Sequence, residues 1–157
     1  MEYTSSRAQL LYGCLLRGVY KIRSTLNLLY IVGEIRGEEA IDLLQAWNTG
    51  HDGSMGTAHA NSTRDMISRV ETMVLMGLSL PLEAIRRQIA SGIDLMVHLG
   101  RLRDRSRRVL EITEVTGYEN GEVLLNPLYV WDMGKGKLVR RGELQNWEKM
   151  KRAGIRA

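Results

Sequence analysis

Cysteine occurs once in this chain, as Cys14, and histidine three times, as His51, His59 and His98. One thiol cannot close an internal disulfide, and these few residues at scattered spacings make no zinc pattern. Cys14 is expected to be a small buried apolar residue. Long apolar runs are missing too. The longest, Leu28-Leu29-Tyr30-Ile31-Val32, is far too short to cross a bilayer, and the N-terminus lacks the basic-then-apolar order of a secretory signal. These absences point to a cytoplasmic protein. No internal repeat or low-complexity segment interrupts the 157 residues, and 44% hydrophobic with 25% charged content is that of an ordinary folded chain. One domain with a single core is expected from that length.

What is present is unevenly placed charge. The net charge is +4, yet residues 134–157 alone carry Lys135, Lys137, Arg140, Arg141, Lys149, Lys151, Arg152 and Arg156 against Glu143 and Glu148. A second cluster, Arg101, Arg103, Arg105, Arg107 and Arg108, surrounds Asp104. Apart from the lone Trp147 neither cluster interleaves aromatics, and neither carries a nucleic-acid motif, so a solvated, partner-facing surface is the favoured reading over nucleic acid or anionic lipid.

Hydrophobic periodicity predicts an α/β chain. Leu28 to Val32, closed by Gly33, reads as a strand apolar on both faces, the kind a parallel sheet uses. Ala40, Ile41, Leu44 and Trp47 recur at helical spacing from Glu38 until Asn48-Thr49-Gly50 ends the helix. Ser54 to His59 reads as a second short strand, and Ser62-Thr63-Arg64-Asp65 has capping-box spacing before a helix with Met66, Val70, Met73 and Val74 inward. A further helix starts at Pro81 with Leu82, Ile85 and Ile89 inward, and Asp94 to Leu99 reads as another buried strand. From Val109 the period is two, and Asn120-Gly121 between two such runs predicts a hairpin. Pro127 marks the second hairpin strand as an edge or as bulged, and residues 143–153 read as a short basic helix.

Ligands of open α/β sheets collect at the carboxyl ends of strands, where Glu34 with Arg36 and His59 with Asn61 stand here. A carboxylate there can orient or deprotonate water, and a histidine or arginine can stabilise charge on a departing phosphoryl group. Spacing alone favours a plainer reading, in which the glutamate is a surface or capping residue and the histidine satisfies a backbone group near a helix start.

The literal residues reverse that balance. Ile31-Val32-Gly33-Glu34-Ile35-Arg36-Gly37, then Ala46-Trp47-Asn48-Thr49-Gly50-His51-Asp52-Gly53-Ser54, then Thr57-Ala58-His59-Ala60-Asn61 resemble, in order, three signatures of the secretion ATPase superfamily: the end of its Asp box, its Walker B segment and its His box. The resemblance covers residues 28–157, and its Asn48–Gly53 and His59–Asn61 stretches are similar to the Tad/Flp pilus-assembly branch. It implies the C-terminal half of a RecA-like P-loop ATPase domain, with a terminal β-hairpin and basic helix. The intact family implies a hexamer that couples hydrolysis of ATP with Mg²⁺ to secretion or pilus assembly, at an inner-membrane platform protein on the cytoplasmic face. Carried over by position, Glu34 is the expected water-activating residue and His59 the expected phosphate sensor. Thr49, Gly50 and His51 match the turn near Mg²⁺ and phosphate, with Arg36 and Arg69 as weaker matches.

The resemblance stops short in two places. No G-x-x-x-x-G-K-[ST] loop to cradle phosphates occurs anywhere in the chain. Residues 1–27 match the family poorly, with Arg23 followed by Ser24-Thr25-Leu26-Asn27 where the Asp box has arginine, proline and aspartate. The expectation is therefore a gene start lying within the motor domain and a product inactive alone. The alternative is a non-catalytic module that docks onto the motor or the pilus platform.

Overall fold

The apolar run at residues 28–32 forms a strand with a neighbour on each side. A computed structural model describes residues 19–23, 28–49 and 54–147. In it, β1 (Val19–Arg23) pairs antiparallel with β2 (Leu28–Val32), Val19 opposite Val32. On its other side β2 pairs in parallel with β3 (Met55–Gly56). The wholly parallel surroundings expected for β2 are therefore found on one side only. β1, from the segment that matches the family poorly, saturates the other edge and leaves β2 in the middle of three strands. β3 is shorter than residues 54–59 suggest, because only two residues keep ladder geometry before the chain turns to other bonding.

The described residues form two compact units rather than the single core expected from length. Of the described residues, the first takes in those up to His59 together with Thr72–Ser79, and the second takes in Ala60–Glu71 and those from Leu80 to Trp147. In the first, helix α1 (Ala40–Asn48) packs on β2 and buries Ala40, Leu43 and Leu44, one helical stripe. Thr49 closes it, its N–H donating to the Ala46 carbonyl at 3.2 Å and its Oγ1 to the Gln45 carbonyl at 2.8 Å. Gly56 on β3 lets the strand lie close to its neighbours, since a Cβ there would stand 3.0 Å from Leu43 Cδ2 and 3.1 Å from Ile35 Cδ1 and would push those side chains aside.

Helix α2 (Thr63–Gly77) begins as its capping sequence dictates, with the Asp65 N–H donating to Ser62 Oγ at 3.0 Å. Its buried apolar residues are Ile67, Val70, Met73 and Val74; Met66, expected inward, is only half-buried, and Ile67 holds that place in the stripe. Residues 63–71 belong to the second unit and 72–77 to the first. Helix α3 (Leu82–Gly92) buries Ile85 and Ile89 completely. Leu82, also expected inward, lies in the first turn and is 41% exposed, so the buried stripe starts one turn later.

The second unit is built on an antiparallel sheet in which β4 (Leu95–Arg101), β5 (Arg107–Glu119), β6 (Glu122–Asp132) and β7 (Lys137–Arg140) follow sequence order. α3 packs on β5 and β6. β4 is not the buried strand expected for 94–99. Among the described residues it is an edge, paired with β5 alone, and its period of two leaves Leu95, Val97 and Leu99 exposed. Asn120 and Gly121 form the predicted two-residue turn, both left-handed at φ +51° and +84°, with Glu119 opposite Glu122. Pro127 lies on an interior strand, so the edge reading is corrected. A register shift between Ile112 and Thr113 supplies the bulge that accommodates a residue without an N–H. β7 had no counterpart in the sequence reading. Of the helix expected over 143–153, residues 143–146 are non-helical, Trp147 is helical, and the remainder lies outside the described residues, as does Cys14.

Candidate functional site

Local bonding at the end of β2 brings two distant parts of the sequence together. The Thr57 N–H donates to the Val32 carbonyl at 3.3 Å, the Ile35 N–H donates to the Thr57 carbonyl at 2.7 Å, and Thr57 Oγ1 donates to the Gly33 carbonyl. These bonds continue the β2–β3 pairing past the last ladder residue. They carry the backbone from Glu34 alongside the stretch leading to His59.

The side chains meet as a result. His59 Nε2 lies 3.0 Å from Glu34 Oε1, and Arg36 Nη2 donates to Glu34 Oε2. Glu34 is the sheltered member, 27% exposed against 81% for His59 and 75% for Arg36. A half-buried carboxylate thus faces two groups that solvent or a ligand can reach. The Glu34 carboxylate raises the Arg36 pKa above its ordinary value, first through the hydrogen bond and then through its charge, so the guanidinium stays positive.

Glu39 orders the loop that carries this group. Its Oε1 accepts the Arg36 N–H at 2.6 Å and the Gly37 N–H at 3.1 Å. Those bonds, Arg36 first, hold the Glu39 carboxyl below its ordinary pKa. Sequence reasoning passed over Glu39. A glutamate three residues after Arg36 and just ahead of a helical stripe was the available signal.

The other expected site residues are placed differently. Thr49 spends its hydroxyl on the last carbonyls of α1, and Gly50 and His51 lie outside the described residues. Arg69 is exposed on α2 and makes no ion pair among the described residues. Also among the described residues, no group of three His, Cys, Asp or Glu is close enough to hold a metal ion. One carboxylate flanked by a guanidinium and an imidazole suits activation of water and reception of an anion.

Two buried acids in the second unit were not foreseen. Glu71 receives Arg86 Nε at 2.8 Å, and the same arginine reaches the Gly121 carbonyl and Glu122 at the β5–β6 turn, which ties α2 and α3 to the hairpin. Glu114, 1% exposed, accepts the N–H groups of Gln145 (2.9 Å) and Asn146 (2.8 Å) and Asn126 Nδ2 (3.0 Å). It pins the segment after β7 onto the sheet. Through these bonds both acids hold separate segments of the second unit together.

Comparison with known proteins places this geometry. Residues 28–127 match the family model described as Type II/IV secretion system protein. A Mycobacterium tuberculosis protein provisionally named for conjugal transfer is 36% identical over 106 residues, which is 68% of this chain and 29% of the relative. Conjugal transfer protein TrbB of Rhizobium radiobacter is 36% identical over 90 residues, 57% of this chain and 27% of its own. The crystal structure of the VirB11 ATPase from the Brucella suis type IV secretion system, in complex with sulphate, superposes with a TM-score of 0.51 at 34% identity, covering 54% of this chain and 26% of that one. The mixed helix-and-sheet fold is thus shared with part of an α/β ATPase domain, as the motifs implied. The chain spans less than a third of the length of these relatives.

Proposed function

This chain belongs to the type II/IV secretion system protein family, matched over residues 28–127, and from that premise we propose that it contributes the water-activating end of an ATP-driven secretion motor. The observation that carries this reading is the 3.0 Å approach of His59 to Glu34 at the end of β2, inside the matched segment. Glu34 accepts the proton of a water as its oxygen adds to the terminal phosphorus and the bond to the departing diphosphate breaks. Arg36 and His59, which contact Glu34 from both sides, are the exposed groups available to an arriving phosphate. Their transfer from carboxylate to phosphate leaves Glu34 free to act as a base. Magnesium, when bound, neutralises phosphate charge in such reactions.

The finer assignment follows the same motifs. Asn48-Thr49-Gly50-His51-Asp52-Gly53 and His59-Ala60-Asn61 favour a Tad/Flp pilus-assembly motor, working as a hexamer against an inner-membrane platform protein on the cytoplasmic face. In keeping with a peripheral position, no helix among the described residues is long and apolar enough to cross a membrane. The phosphate loop would come from sequence beyond this chain's motifs, because none of its 157 residues supplies one.

A segment exchange tests the reading. Residues 28–127 are placed in the Brucella suis VirB11 ATPase in exchange for its matching segment, and Mg²⁺-dependent ATP turnover is measured. The exchanged protein is expected to turn over ATP within about tenfold of its parent, a difference of roughly 1.4 kcal/mol in barrier. The isolated chain is expected to show only background. A folded exchange protein with no turnover would remove the motor reading and leave the non-catalytic docking module.

A further inference from the structure

The hairpin that joins β4 to β5 holds five arginines in eight residues, Arg101, Arg103, Arg105, Arg107 and Arg108, against a single acid, Asp104. All five are exposed. This single carboxylate, whose charge acts on Arg108, leaves most of that positive charge uncompensated. Its Oδ1 accepts both the N–H of Ser106 at 2.9 Å and the Ser106 hydroxyl at 2.7 Å, so it is spent on shaping the loop. Two backbone bonds complete that shape, Leu102 N–H to the Ser106 carbonyl and Arg105 N–H to the Leu102 carbonyl, each 2.9 Å. Arg105 is held left-handed at φ +65°, a conformation uncommon outside glycine. The loop is a built frame, and its side chains project from fixed positions.

Folding on its own gives no reason for this arrangement. Arg101 and Arg107 stand directly opposite each other in the ladder, and like charges so placed destabilise a strand pair. Arg101, Arg103, Arg105 and Arg107 have no ion-pair partner among the described residues. Solvent screens part of this repulsion, and an anionic partner would relieve more of it. Each guanidinium presents a planar fork that takes a carboxylate through two parallel N–H bonds, and a fixed frame lowers the ordering cost of docking.

We infer that the β4–β5 hairpin is a docking surface for a carboxylate-rich segment of a partner protein. Phosphate polymers offer the same charge but different surroundings. Residues 95–108 include no phenylalanine, tyrosine or tryptophan on which a base could stack. The exposed neighbours on β4 are Leu95, Val97 and Leu99, an aliphatic row at the two-residue period of an extended peptide. An acidic strand or loop with intervening apolar residues fits both features. The surface lies outside the Glu34 site, and the inference does not depend on the motor reading.

The test uses the whole chain and three probes at matched ionic strength. These are a fluorescein-labelled peptide of alternating glutamate and valine, a single-stranded oligothymidine of equal charge, and phosphatidylserine-containing vesicles. The peptide is expected to bind most tightly and to weaken as salt is raised, since exposed charges are screened beyond about 8 Å at physiological salt. Replacing all five arginines by glutamine is expected to cost about tenfold or more in peptide affinity. The double variant Arg103→Gln/Arg105→Gln, confined to the loop between the strands, is expected to cost about threefold and covers the case in which the fivefold change disturbs folding. Substituting all five by lysine keeps the charge and removes the fork, and should also weaken the peptide. Oligothymidine or vesicles binding as tightly as the peptide would overturn the inference. So would glutamine or lysine variants that bind the peptide as the parent does.

Discussion

In the unit built on β4–β7 every strand lies beside the one before it in sequence, and the three turns between them are short. In the first unit β2 and β3 are parallel, so a whole helix, α1, must fold between them before the pair can form, and the pair has only two ladder residues. The first arrangement fixes register locally, through turns such as Asn120-Gly121. The second depends on closing a long connection for little ladder bonding. Thr57 makes up for that shortage by bonding back to Val32, Gly33 and Ile35. The chemistry-bearing residues sit on the more weakly paired sheet, where a small displacement of one strand end separates Glu34 from His59. The strongly paired sheet carries anchors and surface charge.

If the comparison is right, stability should reside in the second unit. Ile89, with no exposed surface on α3, is the strongest probe: Ile89→Ala is expected to cost about 2–5 kcal/mol in denaturant unfolding. Met55→Ala on β3, a residue 59% exposed, should stay within about 0.5 kcal/mol. Equal losses at the two positions would erase the distinction between the units.

A middle-sized effect is expected at Glu114. Glu114→Ala strands the N–H groups of Gln145 and Asn146 and should cost about 1–3 kcal/mol, with faster hydrogen exchange at those two amides. Unchanged exchange there would mean that the segment after β7 is held by something else.

The smallest effect sharpens the first unit's side of the comparison. Glu39 has a depressed pKa in the folded state, so its contribution is present above the unfolded glutamate value, about 4.3, and is lost as pH falls through the lower folded value. Amide resonances of Arg36 and Gly37 should therefore hold steady from pH 7 to about 5 and move only in more acid solution. Movement between pH 7 and 5 would show that Glu39 does not order the loop.

The same contrast explains what could be read from sequence. Asn120-Gly121 and the Ser62 to Asp65 cap are local signals, and each stands where its residues indicated; the α1 stripe holds at Ala40 and Leu44, but Leu43 is buried where Ile41 and Trp47, expected inward, are only half-buried. Pro127 was legible as an irregularity, but β7 was not foreseen, so an interior strand with a bulge could not be told from an edge. β4 looked buried because Leu95, Val97 and Leu99 are apolar, while exposure depends on what lies beside a strand, which no window of sequence contains. At the site, Glu34, Arg36 and His59 were named from a resemblance of ordered motifs. Their meeting rests on bonds between residues more than twenty positions apart, such as Thr57 to Gly33. No periodicity encodes that.

The central claim, that Glu34 acts on water with His59 beside it, is tested most directly in the VirB11 protein carrying residues 28–127. Steady-state ATP hydrolysis is compared for the exchanged protein and its Glu34→Gln form, with kcat and KM separated. The account predicts that kcat falls by about a hundredfold or more while KM for ATP stays within about threefold, because a base acts in the transition state rather than in binding. An unchanged kcat, or a loss confined to KM, would contradict it.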